Sequence, residues 1–429
     1  MTFLGQTTVA LLETLMYTPA RLENTETAVW VRSEYGMIAQ LPQIFWSDGS
    51  SWREANAWLG ELAANKATDI KTVHSKAAAL LNYAKWLEAS KISWMQVHGR
   101  KDERCINRFR GALILARQEG SYSASTVSSR IRVIRQFYSW IVKNNLVTLS
   151  TPLWQERRIS IQFTDRYGFA KSKDVMTTDL AIPLRSRKNI DLEDGLWPVS
   201  TEDREKILNC ARDNAPLEIY YMLLLGFHTG MRIQSIGDMK AQTIARAIDH
   251  PLQDGISTIA IGPGADPSVA TKYGKTGRIE IPTSLVQQLR AYSLSEERLL
   301  RSARAQRQDQ DILFITKAGN RYTRADRNTS GAINTAMCEL RKIGKRLGLN
   351  ALIDFKFHQS RATYATEYAT FALSIDPAGA IEMVRRNLLH KDEATTMKYI
   401  KFIKQHPLIS EINNKFTKRF LGRYHADHA

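Results

Sequence analysis

Apolar residues between positions 48 and 148 recur at spacings of three and four, the signature of helices that bury one face. The clearest run is SASTVSSRIRVIRQFYSWIVKNN, where Val127, Ile131, Ile134, Tyr138 and Ile141 form a single stripe. The face a quarter-turn to a half-turn away carries Ser128, Arg132, Arg135, Ser139 and Lys143 and no acid, a surface for solvent or for phosphates. A similar helix, TVHSKAAALLNYAKWLEAS, precedes it. Residues 1–47 mix aromatics and proline without a period and read as a small arm, a strand pair or a packed extension of open role. Residues 149–198 are punctuated by Pro152, Pro183 and Pro198, and 157–188 hold eight basic residues against three acidic ones, which reads as a basic inter-domain linker. From 199 to 429 the pattern is again mainly helical. It opens at Ser200, an N-cap with Asp203 three residues on. Within it, ISTIAIG (256–262) and GRIEIP (277–282) are short and β-branched, so they are expected as strands of a small sheet. Lys272 and Lys275 sit in their connection.

Composition narrows the partner. The 429 residues suit two to three domains at the usual ~100–200 residues each. With 43% apolar and 24% charged residues the chain has the makings of real cores. Its 60 Lys+Arg against 43 Asp+Glu leave a formal charge of +17, which points to a polyanion, nucleic acid before an anionic membrane. The three cysteines, Cys105, Cys210 and Cys338, are far apart and form neither a disulfide framework nor a zinc set. A reducing cytoplasm is the expected setting. No basic n-region precedes a long apolar core at the N-terminus, and no uncharged apolar run approaches the ~20 residues of a membrane span.

Four stretches carry candidate chemistry: HTGMRIQSIGDMK (228–240), TKYGKTGRIEIP (271–282), FHQSRATYATEYA (357–369) and NLLHKDEATTMKYIKF (387–402). Taken in order they resemble the boxes of the tyrosine recombinase (phage integrase) family. By that resemblance Arg232 matches the family's first arginine, Lys275 its hairpin lysine, His358 and Arg361 its His-x-x-Arg box, and His390 and Tyr399 its second histidine and nucleophile. The match spans about 229–400, nearly half the chain. Two departures stand out: Ser235 replaces the acid usual three residues after the first arginine, and the stretch from Arg361 to His390 is longer than usual, as an enlarged loop would make it. Asp238, one turn on, is a candidate source of the missing charge.

The resemblance implies a multidomain, mainly α chain. Residues 48–148 would be a helical core-binding (SAM-like) domain, and 199–429 a mixed α+β catalytic domain with a small antiparallel sheet and a C-terminal tail helix. It implies a site-specific recombinase of a mobile genetic element that cuts and rejoins double-stranded DNA through a 3′-phosphotyrosyl link. No metal or ATP is expected, since the sequence shows neither an acidic ligand cluster nor a Walker motif. Charge chemistry agrees: forked guanidinium groups suit the non-bridging oxygens of an attacked phosphate, and a lysine on a turn suits protonation of the leaving oxygen. Arg132, Arg135, Lys143 and Lys272 are candidate DNA contacts. Implied partners are DNA, a homo-tetramer on two sites and accessory proteins, with no membrane and a place on the cytoplasmic nucleoid. The tail over 408–423, with Ile409, Ile412, Phe416 and Phe420 at helical spacing, is the candidate for exchange in trans. Taken singly, Tyr399 and His390 read as core residues, Arg232 as a surface charge and Lys275 as a solvated turn; it is their order that favours the enzyme. The rivals are a catalytically weakened DNA-binding relative, hinted at by Ser235, and a type IB-like topoisomerase.

Overall fold

The computed structural model describes residues 6–21, 28–65, 68–164, 170–183, 192, 196–323 and 331–403. Among these residues helices dominate, with three antiparallel sheets. The chain divides into two compact units, Met1–Ser186 and Arg187–Ala429.

In the first unit four helices, Arg53–Ala64, Ile70–Ser90, Cys105–Gln118 and Ala124–Lys143, enclose an aromatic core in which Trp52, Tyr83, Phe109, Phe137 and Tyr138 are fully buried. Polar side chains start two of them: Asp69 accepts from the Lys71 N–H at 2.8 Å and Ser123 from the Thr126 N–H at 3.2 Å, each meeting a donor the helix cannot satisfy itself. The expected stripe of Val127, Ile131, Ile134, Tyr138 and Ile141 is buried. Within the core the Tyr83 and Tyr138 hydroxyls lie 2.9 Å apart, and Trp52 meets Phe137 edge-on at 5.3 Å. Each large ring adds roughly 1.5–3 kcal/mol of burial.

One segment takes a form the sequence reading leaves open among three, and another differs from it. Residues 1–47 contain a long antiparallel pair, Thr8–Arg21 with Ala28–Phe45, whose inner end delivers Leu41 and Ile44 to the helical core. The stretch 149–198, read as a linker, contains a second ribbon, Glu156–Thr164 paired with Ala170–Thr178, and Leu153, Leu180 and Ile182 are buried in the first unit. A connector cannot pin apolar side chains; a ribbon anchored by flanking leucines can.

In the second unit Ser200 caps the helix Thr201–Asn214 by accepting from the Asp203 N–H at 3.0 Å. The helix Leu217–Thr229 follows. The two expected strands appear as Ile256–Ile261 and Gly277–Pro282, with Ile259 opposite Ile279, and a third strand, Ile248–Asp249, adds to the first. Their inward residues Ile259, Ile261, Ile279 and Ile281 join a core with Leu223, Phe227 and Phe355. A second, smaller core gathers Ala365, Ala369 and Ala372 of the helix Gln359–Ile375, Val384 of the helix Ala380–Asn387, and Tyr399, Ile400 and Phe402. The extra length between Arg361 and His390 is therefore helix, with only 376–379 between the two, and not an enlarged loop. The tail helix over 408–423 lies outside the described residues. Among those residues no helix is long and apolar enough to cross a membrane.

Candidate active site

Each of the six motif residues is placed by a local device. The helix Leu217–Thr229 ends at Gly230, which takes a left-handed φ of +63° and donates its N–H to the Gly226 carbonyl at 3.2 Å. A Cβ at Gly230 would come within 2.5 Å of the Tyr364 ring and 2.7 Å of Leu388, so glycine is needed both for conformation and for space. The turn it makes sets Arg232 at the N-cap of the next helix, Ile233–Gly237. Arg361, on the first turn of Gln359–Ile375, is 2% exposed. Its guanidinium donates to the Gly230 carbonyl and, at 3.1 Å, to the Leu388 carbonyl. One side chain thus ties the Arg232 turn to the His390 segment.

The hairpin connection is held from below. Ser235 is buried and its hydroxyl donates to the Ala270 carbonyl at 2.8 Å, while the Asp238 carboxylate accepts from the Ala270 N–H at 2.7 Å. Ala270 leads into the turn bearing Lys272 and Lys275, which Thr271 closes by donating to the Lys275 carbonyl at 2.6 Å. Asp238 also accepts from Lys240 at 2.9 Å and Arg321 at 2.8 Å, so its charge is engaged in this clamp. Ser235→Ala is expected to cost about 1 kcal/mol, one neutral hydrogen bond, and Asp238→Asn about 2–3 kcal/mol for weakened charge-assisted ones. Thermal unfolding of both variants beside cleavage rates checks the ranking, and a larger effect of Ser235→Ala would reverse it.

At the far end of the turn Lys275 donates from Nζ to the His390 carbonyl at 2.6 Å. His390 is 1% exposed; its Nδ1 lies 2.9 Å from the Thr396 hydroxyl and its ring stacks on Tyr399 at 6.0 Å and 11°. Leu389, the residue before it, has a left-handed φ of +50° and fills the space above Gly277, where a Cβ would come within 2.5 Å of the leucine Cδ2. Tyr399 sits on the helix over 393–403 and is wholly buried. His358 occupies the N-cap position of Gln359–Ile375, without a side-chain capping bond.

Arg232, Lys272, Lys275 and Arg361 line one small hollow of about 20 Å³, with Ser235, Asn387 and Leu389 and no acid in its wall. An anion seated there would meet all four positive charges at once. Beside it opens a groove of about 870 Å³ whose wall includes Lys275, Arg278, Arg385, Arg386 and His390. His358 and Tyr399 line neither hollow. In the first unit Arg132 and Arg135 line a 280 Å³ groove against Val175–Thr178 of the second ribbon, and Lys143 is exposed at its helix end, outside that groove. Among the described residues no three His, Cys, Asp or Glu side chains converge as a metal set.

Sequence reasoning missed the relay behind the site. Tyr364 donates to the Asn387 side chain at 2.8 Å, and Asn387 donates to Glu280 at 3.3 Å, joining the strand Gly277–Pro282 to the segment before His390. Burial pushes the Tyr364 phenol well above its usual range, keeping it a neutral donor. Such a relay has no spacing signature, because each member comes from a different element.

Residues 199–406 match the phage integrase family. No curated protein matches the sequence. Among solved structures the chain is similar to a XerH site-specific recombinase bound to a palindromic difH substrate, at 16% identity over 83% of this chain and 84% of that one, TM-score 0.49. It is similar also to a lambda integrase dimer bound to a core site, at 14% identity over 81% and 94%, TM-score 0.46. A third is the Tn1549 transposon integrase in complex with circular intermediate DNA, at 13% identity over 81% and 94%, TM-score 0.45. The family match covers the whole span that carries Arg232, Lys275, His358, Arg361, His390 and Tyr399, and by that match residues 199–406 of this chain belong to the phage integrase family, the tyrosine recombinases.

Proposed function

We propose that the six residues form the strand-cleaving centre of a site-specific recombinase, with Tyr399 as nucleophile. The observation that carries this is the convergence of Arg232, Lys275 and Arg361 on one acid-free hollow, with Lys275 bonded to the His390 segment on which Tyr399 stacks. A scissile phosphate seated there receives the guanidinium donors of Arg232 and Arg361 on its non-bridging oxygens. Each donor that meets developing charge in a water-poor site is worth about 3 kcal/mol. The Tyr399 oxygen forms a bond to phosphorus as the bond to the 5′-oxygen breaks. A tyrosine hydroxyl ordinarily ionises near pH 10, so its proton needs an acceptor, and His358 takes it. Lys275 gives a proton to the leaving 5′-oxygen. The phosphotyrosine keeps the energy of the broken ester, and a 5′-hydroxyl from another strand reverses every step without ATP.

Since Tyr399 is packed in the smaller core, the helix over 393–403 must shift for its oxygen to reach the hollow. Exchange between two duplexes breaks four strands with one nucleophile per protomer, hence a homo-tetramer across two DNA sites. Arg132 and Arg135 in the groove of the first unit, together with Lys143 and Lys272, hold the backbone of the duplex.

Quenching a reaction with denaturant and sequencing the attached DNA tests the reading: a covalent adduct at one sequence supports it, and DNA bound without any adduct makes the chain a non-cleaving relative. Lys275→Ala is expected to slow cleavage of a normal phosphodiester by roughly 10²–10⁴-fold and to spare a substrate with sulfur at the 5′-bridging position, which leaves without a proton. Equal slowing of both substrates would remove Lys275 from the acid role.

A further inference from the structure

Tyr273 stands at the tip of the hairpin turn, two residues before Lys275, and is 65% exposed. Its backbone is left-handed, φ +66°, a conformation a Cβ disfavours, although Gly274 beside it already supplies a residue suited to such a turn. Two ammonium groups flank the ring, Lys272 at 5.4 Å and Lys391 at 5.1 Å from its centre, one from the hairpin and one from the residue after His390. Scattered exposed aromatics need no explanation. This one combines an unfavourable backbone, cations from two separate segments and a place beside the lysine that faces the leaving oxygen.

We propose that Tyr273 is the stacking platform for the base that bears the leaving 5′-hydroxyl, holding the cut strand in place between cleavage and rejoining. The proposal rests on the recombinase reading above. Lysine ammonium groups at the outer reach of a ring yield readily to phosphates; drawn to the backbone on either side of the base, Lys272 and Lys391 leave the ring face to the base. Stacking on an aromatic ring tolerates any base, so Tyr273 would act at every site the enzyme cuts.

The test uses full-length protein trapped as its covalent adduct on a nicked substrate, then supplied with a 5′-hydroxyl strand whose first nucleotide is either normal or abasic. Tyr273→Ala is expected to slow rejoining of the normal strand about tenfold, and the abasic strand to slow the unchanged enzyme by about the same factor. Combined, the two changes should cost no more than either alone, because both remove one contact. Tyr273→Phe should restore the rate. Losses that multiply toward hundredfold, a normal rate with Tyr273→Ala, or a Tyr273→Phe variant as slow as Tyr273→Ala would each overturn the stacking role while leaving the recombinase reading intact. Failure of the unchanged protein to form any adduct would overturn both.

Discussion

Replacing Tyr399 with phenylalanine is expected to abolish the denaturant-resistant protein–DNA adduct, lowering strand cleavage by roughly 10⁴-fold or more, because the only atom removed is the proposed nucleophile. The ring stays. Its stacking on His390 and its packing against Ala365, Ala369 and Ala372 are kept, so stability should move by no more than about 1–2 kcal/mol and DNA binding hardly at all. The measurement pairs a gel assay for covalent complex with a binding isotherm on the same DNA. An adduct that persists in Tyr399→Phe would move the nucleophile elsewhere.

Arg361→Ala should produce the second large effect, and on two readouts at once. Its guanidinium is buried and spans the Gly230 and Leu388 carbonyls, so its loss strips both acceptors and opens a cavity, about 3–5 kcal/mol of stability. Transition-state stabilisation falls as well, by roughly 10²–10³-fold in rate. Arg232, half-buried at the head of a short helix, should lose a similar factor in rate with a much smaller change in melting temperature. Arg361→Lys keeps the charge but a single ammonium cannot fork to two carbonyls, so it should recover part of the stability and little of the rate. Single-turnover cleavage beside thermal unfolding separates these outcomes. Were Arg232→Ala to melt early and Arg361→Ala to melt normally, the structural and catalytic shares assigned to the two arginines would have to be exchanged.

The helices of the first unit were legible because a buried face imposes its period on the chain, as Val127 to Ile141 do. The two main strands of the second unit were legible for the matching reason, short β-branched runs bounded by glycine. The ribbon Glu156–Thr164 was not, although Ile159, Ile161 and Phe163 alternate as a strand requires: Ile159 is half exposed, and the basic charge around it reads as a solvated connector. Length between Arg361 and His390 misled in another way, since a count of residues does not distinguish a loop from an extra turn of helix. At the site, order along the chain was enough to nominate the six residues. What it could not supply is which carbonyl Arg361 holds, that Ser235 and Asp238 share Ala270, or that Tyr399 is packed away from the hollow, since each depends on contacts between distant elements.

Leu389 seated over Gly277 makes the hairpin strand and the His390 segment one unit of exchange. A hairpin grafted from a relative with any side chain at the 277 position would drive a carbon to within 2.5 Å of the leucine, and the segment carrying His390 would have to back away from Lys275. A glycine brought in at position 389 would relax the left-handed backbone but leave a void above the strand. Chimeric enzymes built to redirect DNA choice by swapping hairpins therefore need both segments from the same parent, and the pair 277/389 is where a mismatched junction would first fail.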